Sequence, residues 1–228
     1  MKKILVILMT FICLFSFVGC DEKEPEPTVD DYANHKKVIA LVNNYSVVET
    51  NGFDYSLEQK LGERVTNAHT ISIRLDNTGD TIGSRVEYQK SLNEDISKVQ
   101  YTETSVTAYY KGNKIATYVD DAWTWKTCTL EEFVTINIGS FAFDFDSLTN
   151  LKLSASGKYS FLTFKIDDDN ASSFLGINGD IKNLSFEIKT DDAYTKIVSF
   201  TMSYSQNLTS TRFSFTPYSG SINIDIPE

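Results

Sequence analysis

The second half of the chain alternates apolar and polar residues with a period of two. Its apolar sets are Leu162, Phe164 and Ile166; Leu184, Phe186 and Ile188; Val198, Phe200, Met202 and Tyr204; Phe213 and Phe215; and Ile222, Ile224 and Ile226. Interleaved Ser, Thr, Lys, Asn, Glu and Asp give each segment one dry and one wet face, the signature of antiparallel strands wetted on one side. Earlier segments repeat the pattern with Phe53, Tyr55, Leu57 and Leu61, with Ile71, Ile73 and Leu75, with Val86 and Tyr88, and with Ile115, Thr117 and Val119. Turn residues separate them at Asn77-Thr78-Gly79-Asp80, Lys111-Gly112-Asn113 and Ser219-Gly220. Between Tyr101 and Val106 the phase slips, which predicts a bulge or bend.

Helical spacing occurs in three places. Val38, Ile39, Leu41, Val42 and Tyr45 predict a short amphipathic helix over 35–45. A second is predicted over 130–136, where Thr129 and Glu132 stand at capping-box spacing and Leu130, Phe133 and Val134 share a face. A third covers 171–175, with residues 168–170 as caps. Roughly ten strands at ~4.8 Å spacing would form a sheet ~48 Å wide, whereas one helix covers about 10–12 Å. The sheet must therefore curl over its own apolar face as a sandwich, a closed barrel or a bent half-barrel.

The N-terminus follows a different pattern. After Met1-Lys2-Lys3 an apolar run covers residues 4–17, too short to cross ~30 Å of hydrocarbon as a helix. This is the layout of a secretory signal peptide. It ends in Phe17-Val18-Gly19-Cys20, followed at once by Asp21-Glu22-Lys23-Glu24-Pro25-Glu26-Pro27. The segment resembles the lipobox of bacterial lipoproteins, with Phe17 where Leu is usual. That resemblance implies cleavage of residues 1–19 and acylation of Cys20, which anchors the mature chain to the cell membrane on its extracytoplasmic face. Residues 20–33, acidic and proline-bearing, form a flexible tether, and residues 34–228 form a single domain.

Composition sharpens this picture. The 228 residues carry a net charge of −10, and loss of Lys2 and Lys3 with the signal would move it to −12. Nucleic acid is thereby excluded as a partner, and attachment to anionic headgroups must come from acyl chains rather than charge. Cys13 leaves with the signal and Cys20 is consumed by acylation. Cys128 then stands as a lone thiol, expected in the core.

The order of elements is an acylated Cys, an acidic linker, a helix, and a long meander interrupted after Trp123-x-Trp125 and after Asp167-Asp168-Asp169. It closes with Phe213-Ser214-Phe215 and the isoleucine strand. Over about residues 30–228 this order resembles the LolA/LolB-like and LppX/LprG-like bacterial lipoproteins. The resemblance implies a mainly β (α+β) fold, a strongly curved antiparallel half-barrel with two or three short helices on its concave face. It also implies a cavity that holds acyl chains of lipids, glycolipids or lipoproteins.

Catalytic patterns are missing. His35 and His69 are the two histidines, and neither G-x-S-x-G, H-E-x-x-H, Walker A, G-x-G-x-x-G nor C-x-x-C occurs. Asp167-Asp168-Asp169-Asn170 lacks the spacing and Gly of a calcium loop, which leaves helix capping. Asp144 and Asp146 are expected on the wet face of a strand through Phe141, Phe143 and Phe145. The chain is therefore read as a non-enzyme without cofactor or metal, and as a monomer. Its candidate cavity residues are Trp123, Trp125, Phe133, Phe164, Phe186, Phe200, Met202, Phe213 and Phe215, which either line a pocket or pack a core. In the second case the chain would be a surface module for a protein, peptide or glycan. A hydrolase would require His69 to meet both a Ser and an acid.

Overall fold

A computed structural model describes residues 29–46, 50–93, 99–135 and 142–227. The signal-peptide and Cys20 expectations fall outside these residues. The chain separates into two compact units, Met1–Tyr32 and Ala33–Glu228. Within the described part of the first, residues 29–32 form the opening turn of a helix, α1 (Val29–Asn43). The predicted helix thus starts six residues early, and the last residues assigned to the tether are helical. No helix among the described residues is long and apolar enough to cross a membrane.

The second unit is built on one eleven-stranded sheet. Its strands are β1 (Gly52–Leu61), β2 (Arg64–Asp76), β3 (Ile82–Leu92), β4 (Tyr101–Lys111), β5 (Lys114–Val119), β6 (Ala122–Thr127), β7 (Thr149–Ser156), β8 (Tyr159–Lys165), β9 (Ile181–Asp191), β10 (Ile197–Gln206) and β11 (Thr209–Pro217). Their spatial order is β6-β5-β4-β3-β2-β1-β11-β10-β9-β8-β7. All pairings are antiparallel, and the sheet is curved and unclosed. Two meanders, β1–β6 and β7–β11, meet at a single seam between β1 and β11, where Ser56 Oγ and Ser214 Oγ are 2.8 Å apart. This is the half-barrel that the resemblance implied.

Two-residue turns make the meanders possible. At Gly112-Asn113 both residues have φ of 57°, the left-handed geometry that matches strand twist, and Gly and Asn adopt it at little cost. The β6–β7 connection, residues 128–148, is different because β6 and β7 are opposite edges of the sheet. Its described parts, residues 128–135 and 142–148, place Cys128, Phe133, Val134, Phe143 and Leu148 in the core. This strap contains α2 (Leu130–Val134) and a 3-10 turn (Phe145–Ser147). The predicted capping box is present: Glu132 N donates to Thr129 Oγ1 at 3.2 Å and Thr129 N donates to Glu132 Oε2 at 2.7 Å. The last helix, α3 (Asp168–Leu175), begins three residues earlier than predicted, so Asp168 and Asp169 lie in its first turn, where acids favour the helix dipole. Its C-terminus stops at Gly176 with φ of 64°.

Several sequence expectations are overturned. Ile222, Ile224 and Ile226 form no strand, because β11 already pairs with β1 and β10 and has no free ladder to offer. Asp144 and Asp146 are not on a strand; Asp144 caps the 3-10 turn by accepting from Asp146 N. β4 pairs with β3 in unbroken register, so the phase slip is not a bulge. Val106 instead sits on the inner face and is 52% exposed among the described residues. Val86 and Tyr88 face outward, since the inner positions of β3 are Gly83, Arg85, Glu87 and Gln89.

Candidate functional site

Strand alternation brings most of the candidate residues onto one wall. Cross-strand pairing runs Leu57, Phe213, Met202, Phe186 and Phe164 in one row, and Tyr55, Phe215, Phe200, Ile188 and Leu162 in the next. Phe164, Phe186, Phe200, Met202, Phe213 and Phe215 are each at most 7% exposed. Their rings interlock: Phe164 stacks on Phe186 at 5.0 Å, and Phe200 meets Phe213 edge-on at 5.7 Å.

The cover over this wall is Phe143, from the strap. Its ring lies 5.0 Å from both Phe164 and Phe186, 5.5 Å from Phe174 of α3 and 6.2 Å from Phe200. Asn43, the last residue of α1, holds the backbone of Phe143 at both ends. Asn43 Nδ2 donates to its carbonyl at 2.9 Å, and its N–H donates to Asn43 Oδ1 at 2.9 Å. Sequence reading missed Phe143 as the cover because it read the segment as a strand. The Phe-x-Phe spacing suggested alternation where the chain turns.

Phe133 serves the other half of the strap. It is 1% exposed, lies 5.3 Å from Tyr110, and fits over Gly83, where a side chain would collide with its ring. Arg85 pins this end of the strap by donating to the carbonyls of Phe133 at 2.8 Å and Thr135 at 3.0 Å. Arg85 also pairs with Glu87 at 3.1 Å, and Glu87 in turn lies 2.7 Å from His69 Nε2. His69 packs edge-on against Tyr55, whose hydroxyl pKa is pushed up to about 12, chiefly by burial. His69 therefore has its acid, but among the described residues no serine is bonded to it, so the hydrolase arrangement is not assembled. No cluster of three or more metal-ligating side chains occurs among the described residues.

Trp123 and Trp125 are not brought to the wall. They pair with Tyr118 and Ala116, on the face opposite Tyr110 and Ile115. There Trp123 contacts Tyr109 at 5.2 Å and Tyr118 at 5.3 Å, and Trp125 is 37% exposed. Cys128 is buried, and burial raises its thiol pKa. Two open grooves, of about 540 and 420 Å³, lie instead on the outer face of the sheet over β7–β11 and β1 and are lined mostly by polar side chains.

The fold so defined is a mainly β, open half-barrel whose apolar inner wall is covered by a strap and short helices. No family model and no curated protein matches the chain. Among solved structures it is similar to LprF from Mycobacterium bovis, at 10% identity over 88% of this chain and 98% of that one, with a TM-score of 0.44. It is also similar to a hypothetical protein from Chlamydia trachomatis, at 10% identity over 84% and 97% with a TM-score of 0.28. A LolA superfamily protein from Nitrosomonas europaea matches at 6% identity over 86% and 94%, with a TM-score of 0.26. LprF and the LolA superfamily protein belong to the groups that the sequence resembles. Overlaps this loose add nothing to the fold assignment, which stands on the strand order and register described above.

Proposed function

We propose that the chain is a membrane-anchored bacterial lipoprotein, attached through acyl chains on Cys20, that binds a lipid or acyl chain against its inner wall without catalysing a reaction. The observation that carries this reading is the construction of the wall's cover. Among the six apolar wall residues, Phe164, Phe186 and Phe200 are met by the Phe143 ring, presented by a segment that Asn43 fastens through two hydrogen bonds, while Phe174 meets Phe186 and Tyr45 meets Phe215 beside it. Swinging Phe143 aside would trade its contacts for those of an acyl chain, with burial of each CH₂ stabilising by ~0.8 kcal/mol. Few polar partners are needed, so the dispersed apolar lining suits such a ligand.

A second reading, a surface module with a self-filled core, is favoured by the same rings, because Phe143 already occupies the space an acyl chain would take. Native mass spectrometry with lipid extraction of the full chain from its bacterial host separates the two. A co-purifying lipid at fixed stoichiometry, and faster uptake of a fluorescent fatty acid by Phe143→Ala, are expected. An apo mass with no uptake by either protein would leave the self-filled module standing.

A further inference from the structure

The outer face of β7–β11 differs in chemistry from the rest of the chain. One cross-strand row reads Arg212, Ser203, Ser185 and Lys165, and the adjoining row reads Ser214, Thr201, Glu187, Thr163 and Lys152. The two outer grooves, of about 540 and 420 Å³, meet along this band and share Ser185, Ser203 and Arg212. In a chain with 31 acidic and 21 basic residues, the larger groove gathers Arg212, Lys165 and Lys152 with Glu187, and the smaller adds Glu58, opposite Arg212, which is ion-paired with Lys60 at 2.7 Å. The Arg212 and Lys165 side chains form no hydrogen bond or ion pair with the described residues, and both residues are exposed. Three strand spacings of ~4.8 Å put them ~14 Å apart, at the two ends of a floor of hydroxyls.

We propose that this band binds an acidic oligosaccharide, with Arg212 and Lys165 each receiving a carboxylate and the Ser and Thr hydroxyls bonding sugar hydroxyls between them. A guanidinium fork matches a carboxylate in two parallel hydrogen bonds, and a half-buried hydroxyl that still meets solvent both donates and accepts. Ser185 and Ser203, joined Oγ to Oγ at 2.9 Å, form a preset pair of this kind in the middle of the band. A peptide strand is poorly served, since β8 to β11 are interior strands with their ladders already paired. Acids farther than ~8 Å from the band are screened at physiological salt, and Glu58, opposite Arg212, is ion-paired with Lys60.

The test is calorimetric titration of the full-length protein in neutral detergent. The probes are hexagalacturonate and a hyaluronate hexasaccharide, with maltohexaose and hexaglutamate as comparisons. Expected is binding of at least one acidic sugar, at least about tenfold weaker binding of maltohexaose, and loss of about tenfold in Arg212→Gln and again in Lys165→Gln. Lys114→Gln, far from the band on β5, should leave binding unchanged. The proposal is overturned if neither acidic sugar binds, if the double variant Arg212→Gln/Lys165→Gln binds as well as the parent, or if hexaglutamate binds as tightly as the sugars. Circular dichroism of each variant establishes that these exposed substitutions leave the sheet intact.

Discussion

Replacing Gly83 with alanine tests how firmly the strap is seated. A Cβ at this position would stand 2.7 Å from Phe133 Cε1, 3.0 Å from Leu75 Cδ2 and 3.3 Å from Phe133 Cζ. Carbon atoms rest at about 3.5–4.0 Å, so the ring must retreat by roughly 1 Å. Tyr110 lies 5.3 Å behind it and α2 fixes its backbone, which leaves little room. Overpacking of this kind costs about 1–3 kcal/mol, offset by about 0.4–1 kcal/mol from the stiffer unfolded chain. Gly83→Ala should therefore destabilise by about 0.5–2 kcal/mol, read as a shift in urea midpoint at unchanged slope. Phe133→Leu alone should cost about 1–2 kcal/mol through lost contacts. In the double variant the collision is gone, so it should be more stable than the sum of the singles by about 1 kcal/mol. A neutral or stabilising Gly83→Ala, or additivity within about 0.5 kcal/mol, would refute the wedge and show a strap that yields freely.

Three further outcomes are expected. Thr129→Ala removes the side-chain half of the capping box, the bond that Thr129 Oγ1 accepts from Glu132 N, and should cost about 1 kcal/mol in urea unfolding, with Thr129→Ser restoring most of it. Burial pushes the Tyr55 hydroxyl up to about 12 in the folded chain from the ordinary tyrosine value of 10.0 in the unfolded one, so its contribution is complete below pH 10 and is lost as pH rises toward 12. Alkaline unfolding should begin at higher pH in Tyr55→Phe, and equal onset in the two proteins would contradict the burial argument. The buried Cys128 thiol, with its raised pKa, should react with a maleimide far more slowly in the native protein than in urea, and rapid native labelling would show that the strap opens readily.

The strands whose inner residues are covered were legible in the sequence. Phe164, Phe186 and Phe200 alternate cleanly because core on one side and water on the other select every second residue. β7 was missed, since its apolar residues Leu151 and Leu153 lie at the sheet edge and only half-buried positions mark it. β3 was read with the wrong face inward. Arg85 and Glu87 occupy its inner positions for the sake of the strap and His69, a long-range purpose that no local pattern carries. Trp123 and Trp125 mimic a lining pair, yet hairpin register sends them outside. The isoleucines at 222, 224 and 226 keep the strand period without a strand beside them. Of the candidate site, the wall was readable and its cover was not, because Phe143 owes its place to Asn43, a hundred residues away.

The seam between β1 and β11 sets the order in which the molecule can form. Every other strand pair joins neighbours in sequence, β8 and β9 through the helical connection 166–180, whereas Ser56 and Ser214 come from positions 158 residues apart. Each meander can zip from its own hairpins, but joining the two requires closing nearly the whole domain into one loop, and such closure is slow. Substitutions along the seam should therefore slow folding, whereas those at the hairpin tips should chiefly hasten unfolding. A single ladder thus governs how fast eleven strands become one sheet.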